Sequence, residues 1–251
     1  MKQFSLSAVA LISLIATAQG QPAPDAVTAA PFEWGPSLKV LLVGGGWAHD
    51  FNTYFDKADS AALHAAGITN THYTDDSAVA AREMPRVDVL LLSNNKPEFD
   101  TPEFRVAFSN FVSAGKGLVL LHAALWYNWH WGRHNSDAFN LIMVGGGARD
   151  HDGVSEFDET VVMDHPVTHG LPATFKMTDE LYHTVPRPNG SPMEVLALAA
   201  RPGGQKYASV WVVHHGPGRI VCIALGHDGF PRTHPEFQKL LVNAVNWAGG
   251  K

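Results

Sequence analysis

Short apolar runs that do not alternate with polar residues constrain the fold of this chain most strongly. Such runs occupy residues 39–43, 87–92 and 117–121, helical spacing fills residues 52–66 and 102–114, and a further short strand is predicted around residues 72–73. Strands that are apolar along their whole length are buried on both faces, as in parallel sheets covered by helices. The order β-α-β-β-α-β therefore predicts an α/β fold, with a mostly parallel sheet and helices on both faces.

The second half of the chain indicates strands of another kind. Residues 157–163, 193–199 and 208–213 favour an antiparallel or mixed extension of the sheet, and residues 218–225 form the last predicted strand. A final helix with one apolar stripe is predicted for residues 235–247. The length of 251 residues suits one large domain.

The first residues have the pattern of a secretory signal. Lys2 is followed by an apolar stretch at residues 4–15, and residues 16–18 (ATA) fit a signal-peptidase site. We therefore predict a signal peptide at 1–18, a linker at 19–36, one domain at 37–250 and a periplasmic or secreted protein. A buried N-terminal helix is the alternative, and it leaves the cleavage pattern unexplained.

Charge and cysteine content exclude some classes of partner. The chain has 18 Lys and Arg residues against 24 Asp and Glu residues, and signal cleavage would remove Lys2, leaving a net charge of −7. A net negative charge gives the protein no electrostatic attraction to nucleic acid or to an anionic membrane. Cys222 is the only cysteine, so an intrachain disulfide is impossible.

Histidines follow several of the apolar strands. His49 comes after the first strand and its glycine turn, His122 directly follows residues 117–121, and His227 follows the last strand. Right-handed crossovers bring these strand ends to one edge of the sheet, where open α/β sheets bind ligands. Whether the three imidazoles converge there depends on the tertiary fold.

Each of these positions has more than one interpretation. The glycine turn at residues 44–46 could cradle phosphate, but it lacks the G-x-G-x-x-G spacing and the P-loop lysine. It could also be a plain tight turn, or a turn that presents His49 and Asp50 to a site, which we favour. His122 could be a base, a metal ligand, a hydrogen-bond donor or a hydrogen-bonded core histidine.

Three further segments combine polar or aromatic groups. Residues 126–131 (WYNWHW) suit stacking on a sugar ring through Trp126 and Trp129, or form a hydrophobic plug. Residues 149–152 (RDHD) suit a metal or a proton relay, or form a solvated loop. Residues 178–183 place two carboxylates, a phenol and an imidazole together, and Asp228 follows His227.

A metal site can be assembled from these segments. Imidazole and carboxylate groups suit zinc or manganese. The candidate ligands are His49, His122, His151, Glu180 and His227. Their spacing is not that of a local finger motif, so a metal-free acid–base site is equally compatible with the sequence.

Several motifs in combination resemble the ThuA-like (trehalose-utilisation) family over residues 38–250. They are LHAA at 121–124, DHPVTHGLP at 164–172, DELY at 179–182, the strand–turn–strand ending in LGHD at 207–228, and the NWA helix end at 246–248. The resemblance implies a flavodoxin-like sheet similar to class I glutamine amidotransferases. Those enzymes carry a cysteine nucleophile at the tip where this chain has His122, so glutaminase chemistry is not expected.

The family is tied to sugar metabolism, which together with the residues implies an exported carbohydrate-active enzyme. It would act on a 3-keto-glycoside or a disaccharide by hydrolysis, lyase or isomerase chemistry. The expected catalytic groups are His122, Glu180, Tyr182 and His227, and the expected substrate-binding groups are His49, Asp50, Trp126, Trp129 and Asp228. A non-catalytic periplasmic module that binds a sugar or a metal is the alternative, and a purely structural domain is a third possibility.

Overall fold

The computed structural model of the protein describes residues 29–96, 99, 101–126 and 145–251. The predicted signal peptide, the first part of the predicted linker and Trp129 lie outside the described residues. The described strands are β1 (Val40–Gly45), β2 (Thr71–Thr74), β3 (Val89–Asn94), β4 (Gly117–Leu121), β5 (Gly146–Val161), β6 (Thr174–Pro186), β7 (Met193–Ala200), β8 (Tyr207–Val213) and β9 (Ile220–Ile223).

Helices connect the strands of the first half and close the chain. A π-helical segment, Phe51–Asp59, runs into α1 (Ser60–Ala65). The other described helices are α2 (Ser77–Glu83), α3 (Pro102–Ser113), α4 (Gly229–Arg232) and α5 (Pro235–Ala248), with single 3₁₀ turns at Met84–Arg86 and His122–Leu125. None of the helices in the described residues is long and apolar enough to cross a membrane.

The described strands form one sheet in the order β2-β1-β3-β4-β9-β8-β7-β5-β6. The pairs from β2 to β9 are parallel, and the pairs from β9 through β8, β7 and β5 to β6 are antiparallel. The predicted α/β class is confirmed, and so is the mixed extension in the second half. This order places the ends of β1, β4 and β9 on one edge of the sheet.

The parallel half is buried on both faces, which explains its unbroken apolar runs. Val40 and Leu42 of β1 pack in the same cluster as Phe237 and Leu241 of α5. Leu41 and Val43 pack on the opposite face in the cluster that holds Phe104, Phe108 and Phe111 of α3. Burial of apolar surface contributes about 25 cal/mol per Å² on each face. The strands are therefore held at fixed positions beneath their polar ends.

Two elements were not predicted from the sequence, and residues 149–152, which were expected in a loop, lie on β5. Helix α2 was not predicted, although Asp76 caps it by accepting hydrogen bonds from the backbone N–H groups of Ala78 and Val79. A helix of seven residues is too short for its apolar period to stand out from the loop around it. Strand β6 was also not predicted, because its acidic residues interrupt the alternation of buried apolar positions.

Residues 29–36, the last part of the predicted linker, lie against the domain. The backbone N–H of Phe32 and the indole N–H of Trp34 donate to the carboxylate of Glu83, at 3.2 and 3.0 Å. The ring of Phe32 also stacks on His72 at a centroid distance of 4.5 Å. This segment therefore packs against α2 and β2.

Candidate functional site

The end of β1 leads into a turn that only glycine can form. Gly45 and Gly46 have φ angles of +140° and +137°, which side chains with a Cβ rarely adopt. A Cβ on Gly46 would lie 1.9 Å from the side-chain oxygen of Asn95. The turn leads to His49. The centroid of its ring lies 4.9 Å from the ring centroid of His122 and 4.7 Å from that of His227.

His122 occupies a strained position at the end of β4. It is fully buried, and it is the only non-glycine residue in the described part of the chain with positive φ, at +40°. Its Nδ1 lies 2.7 Å from the carbonyl oxygen of Ala224. Because a carbonyl can only accept, Nδ1 carries a proton, and Nε2 is the nitrogen left to face the site. Nε2 faces the hydroxyl of Tyr182 at 3.1 Å.

The loop that carries His227 is held by a buried carboxylate. One oxygen of Asp179 accepts a hydrogen bond from the backbone N–H of Gly226 at 2.6 Å. Its other oxygen accepts from the backbone N–H groups of His227 and Glu180, at 3.1 and 2.8 Å. Desolvation raises the pKa of Asp179, and the charge of His122 and these three N–H groups oppose the rise. Asp179 therefore positions His227 and Glu180 together.

A buried arginine holds the same loop from the other side. Arg232 donates to the carbonyl oxygen of Gly226 through Nε at 3.1 Å and Nη2 at 2.7 Å. Its Nη1 donates to the carboxylate of Asp59, which lies at the end of the π-helical segment. Burial raises the pKa of Asp59 to about 6, and the charge of Arg232 opposes this rise. The pair joins the His227 loop to the helix that follows His49.

The three strand-end histidines converge on one another. A ligand nitrogen from each of His49, His122 and His227 lies within 4.8 Å of the other two. One oxygen of Glu180 lies 3.4 Å from Nε2 of His122 and 3.1 Å from Nδ1 of His227. Its other oxygen lies 3.4 Å from Nδ1 of His151. We call His49, His122, His227 and Glu180 the histidine cluster.

Burial and mutual charge set the protonation of the histidine cluster. Desolvation lowers the pKa of His49 to about 3, with the neighbouring His122 and His227 adding to the effect. Burial alone would raise the pKa of Glu180, but hydrogen bonds and the positive charge of His122 and His227 hold it well below its usual range. Glu180 in turn raises the pKa of His227 against the effect of burial. The cluster therefore combines a neutral imidazole with an ionised carboxylate.

Tyr182 provides a protonated phenol beside the cluster. It lies two residues beyond Glu180 on β6, and its ring is 4.3 Å from the ring of His122. Burial raises its pKa well above 10, and the negative charges of Glu180 and Asp179 add to this. The hydroxyl is thus a hydrogen-bond donor at every physiological pH.

The donor set of the cluster fits a divalent transition metal. His122 hydrogen bonds a backbone carbonyl through Nδ1 and presents Nε2, the arrangement usual for metal-binding histidines. The buried Nδ1 atoms of His49 and His227 have no well-directed hydrogen bond among the described residues, although the His227 nitrogen lies 3.1 Å from Glu180. Tetrahedral zinc with zinc–nitrogen bonds of about 2.1 Å places two ligand nitrogens about 3.4 Å apart. From separations within 4.8 Å, the imidazoles would need to close by up to about 1.4 Å.

The other predicted site residues surround the cluster or support its loops. Trp126 lies beside it, with ring centroids 5.3 Å from His151 and 5.5 Å from Tyr182. Asp50 and Asp228 serve as local helix caps, accepting hydrogen bonds from the backbone N–H groups of Thr53 at 2.9 Å and Phe230 at 2.8 Å.

Sequence patterns indicated no role for Asp59 or Arg232. They counted Asp179 among the two carboxylates of residues 178–183 but did not indicate its positioning role. Asp59 and Arg232 are 173 residues apart, and no local pattern links them. Cys222 is fully buried within β9, where burial raises the pKa of its thiol well above the usual value.

Comparison with known proteins agrees with this architecture. No curated protein is significantly similar to the chain. A ThuA-like protein from Parabacteroides merdae has 21% identity and a TM-score of 0.71, with 85% of this chain and 90% of that chain covered. One from Bacteroides uniformis has 22% identity and a TM-score of 0.66, covering 88% and 95%.

The fold extends to amidotransferase-like proteins. A Thermoplasma acidophilum protein, described as a proposed component of GMP synthase, has 14% identity and a TM-score of 0.55, covering 83% of this chain and 92% of that chain. The family model ThuA, described as "Trehalose utilisation", matches residues 39–248, which is most of the chain. Together with the sheet order and the motifs at its edge, this match shows that the chain belongs to the ThuA family.

Proposed function

We propose that this protein is an exported carbohydrate-active enzyme that binds one zinc or manganese ion through the three imidazoles of the histidine cluster and uses Glu180 as its base. The observation that carries the proposal is the convergence of three imidazoles within 4.8 Å at the carboxyl edge of the sheet. The carboxylate of Glu180 lies 3.1 to 3.4 Å from two of them. One buried and two partly buried imidazoles gathered around a carboxylate, from three separate strand ends, are costly to assemble without a ligand.

The family description, trehalose utilisation, supports a sugar as the substrate. The centroid of the Trp126 ring lies 5.3 Å from that of His151 and 5.5 Å from that of Tyr182. This indole supplies an aromatic surface of the kind that stacks on sugar rings. We propose a 3-keto-glycoside or a related disaccharide, because a keto group acidifies the neighbouring C–H bond. A C–H bond acidified in this way can be deprotonated by a carboxylate base.

The residues of the cluster divide the acid–base work. When bound, a zinc or manganese ion would act as a Lewis acid toward a substrate oxygen. Glu180, held ionised, would take the proton from the carbon next to the keto group, or from water in a hydrolysis. Tyr182 would donate a hydrogen bond to the oxygen on which negative charge develops. In the lyase case the electron pair left at that carbon forms a C=C bond and expels the glycosidic oxygen from the adjacent carbon, and this oxygen takes up the proton held by Glu180.

A non-catalytic binding module is the second candidate. It is favoured by the fact that both oxygens of Glu180 contact imidazoles, so the carboxylate also satisfies a structural role. Such a module would bind metal or sugar and release no product. Turnover of a keto-glycoside separates the two candidates.

The first test is the metal content of the purified protein, measured by elemental mass spectrometry. We expect near-stoichiometric zinc or manganese in the wild type and its loss in His227→Gln and His122→Asn. Asparagine is chosen because it tolerates the positive φ at position 122. His64→Ala is the matched control, since the His64 side chain is exposed and its hydrogen-bond partner among the described residues is Thr71. A wild type without metal after reconstitution would overturn the metal assignment.

Export is tested separately. We propose cleavage after residue 18, so the N-terminus of the protein isolated from its native host should begin at residue 19. An intact N-terminus in a cytoplasmic fraction would refute export without bearing on the metal.

A further inference from the structure

A cavity adjoins the histidine cluster at the ends of β1 and β2. It measures about 530 Å³, a size usual for small-molecule sites, and His49 is one of its lining residues. Trp47, Asn52, Tyr73, Asp75 and Lys96 line it as well. We call this cavity the Trp47 cleft. Because His49 belongs to both, a ligand in the Trp47 cleft adjoins the cluster.

We infer that the Trp47 cleft is a subsite for an uncharged, hydroxylated ring, which would be one sugar unit of the substrate. The inference rests on the proposed function, because it adds a subsite to that same site. It also assigns a binding role to residues that the reaction itself does not use.

Trp47 supplies the apolar platform. Its side chain is 86% exposed, the largest exposed fraction among the large apolar side chains of the described residues. An exposed indole leaves apolar area in contact with water, and the C–H face of a sugar ring can cover it. Its place on the glycine turn, two residues before His49, fixes this platform close to the cluster.

Polar groups in the cleft match hydroxyls. The ammonium group of Lys96 contacts the backbone carbonyl of Asp75 at 3.3 Å, which keeps it at the cleft. Asp75 and Asn52 offer acceptors and donors, and the Tyr73 hydroxyl remains a donor because burial raises its pKa to about 12. Donors and acceptors of both kinds around one aromatic face suit a polyol.

The local charge disfavours an anionic ligand. Among the described residues that line the cleft, Asp50 and Asp75 bring two carboxylates against one ammonium group, that of Lys96. The helix N-terminus beside the glycine turn, where a phosphate would otherwise bind, is already capped by Asp50, which accepts from Thr53 N–H at 2.9 Å. The glycine turn is therefore not a phosphate cradle, and the cleft selects a neutral ring.

Isothermal titration calorimetry on the metal-loaded protein tests this, with trehalose and trehalose 6-phosphate as matched neutral and anionic probes. We expect Trp47→Ala to weaken trehalose binding about tenfold, which corresponds to the loss of one stacking contact. Phe230→Ala is the control, because Phe230 is another exposed aromatic side chain, at 63%, and does not line the cleft. It should change the affinity less than about twofold.

Three results would overturn the inference. They are equal trehalose affinity in wild type and Trp47→Ala, tighter binding of trehalose 6-phosphate than of trehalose, and no binding of either probe to the metal-loaded wild type. Trp47→Ala should keep the metal content of the wild type. If the subsite inference is wrong, only the trehalose affinities will show it. If the metal proposal is wrong, the metal content alone will show it, so the two failures are distinguishable.

Discussion

Glu159 is a buried carboxyl whose replacement by glutamine should change how stability depends on pH. Its side chain on β5 is 0% exposed, and one oxygen accepts a hydrogen bond from the hydroxyl of Ser209 at 2.6 Å. The other oxygen has no hydrogen-bond partner among the described residues. Desolvation raises the pKa of Glu159 to about 8, against the effect of the Ser209 hydrogen bond, and the nearby charge of Asp179 adds to the rise.

The sign of the effect follows from proton binding. Below the ordinary pKa of 4.5, Glu159 is protonated in the folded and the unfolded chain, and it adds no pH dependence. Between about pH 4.5 and 8 the unfolded chain loses this proton while the folded chain keeps it, so the free energy of unfolding falls by about 1.4 kcal/mol per pH unit. This amounts to about 3 kcal/mol by pH 7 and on the order of 5 kcal/mol by pH 8.

Glu159→Gln removes the titration and keeps the shape of the side chain. Its amide oxygen can still accept from Ser209, and an unpaired amide N–H costs about 1 kcal/mol. We therefore expect the variant to be about 2 kcal/mol more stable than the wild type near pH 7 and no more stable near pH 4.5.

Urea unfolding from about pH 5 to about pH 8 measures this difference. Glu156→Gln is the matched control, since the Glu156 side chain is 63% exposed on the same strand. Its curve should follow that of the wild type. If the stability difference between wild type and Glu159→Gln stayed constant across this range, Glu159 would be ionised in the folded protein and the reasoning from burial would be wrong.

Three further predictions concern the site. Asp179→Asn should lower the free energy of unfolding, measured in urea, by about 1 to 3 kcal/mol, because an amide cannot accept all three N–H groups. It should also lower metal affinity about tenfold or more in a competition assay. Unchanged metal affinity would show that Asp179 does not position the ligands. Gly46→Ala should lower the free energy of unfolding, measured by thermal denaturation, by about 1 to 3 kcal/mol, since a Cβ there would lie 1.9 Å from an oxygen of Asn95. Gly153→Ala is the control, because a Cβ on Gly153 would have no atom within 4 Å. Glu180→Gln should reduce keto-glycoside turnover at least a hundredfold, and the control Glu156→Gln should leave turnover unchanged. Intact turnover in Glu180→Gln would show that Glu180 is not the base of the reaction.

The sequence by itself determined the local parts of this protein. Apolar runs identified β1, β3, β4 and β9, because a strand covered on both faces cannot tolerate polar residues. Thr101 and Pro102 are residue types typical of a helix start, and in the structure Thr101 accepts a hydrogen bond from the backbone N–H of Phe104 at 3.2 Å, at the beginning of α3. The right-handed crossover then sufficed to place His49 and His122 at one edge of the sheet.

The tertiary structure alone decided which polar groups meet. The register of β4 against β9, joining residues about a hundred positions apart, brings His122 Nδ1 to the carbonyl of Ala224 and so sets its tautomer. The antiparallel half carries Glu180, Tyr182 and Asp179 to the same edge, although the periodicity of the sequence did not reveal β6. Local patterns report burial, period and turn chemistry, whereas these contacts depend on strand order and loop closure between distant segments. For that physical reason the histidines could be predicted from sequence, and the contacts that position them could not.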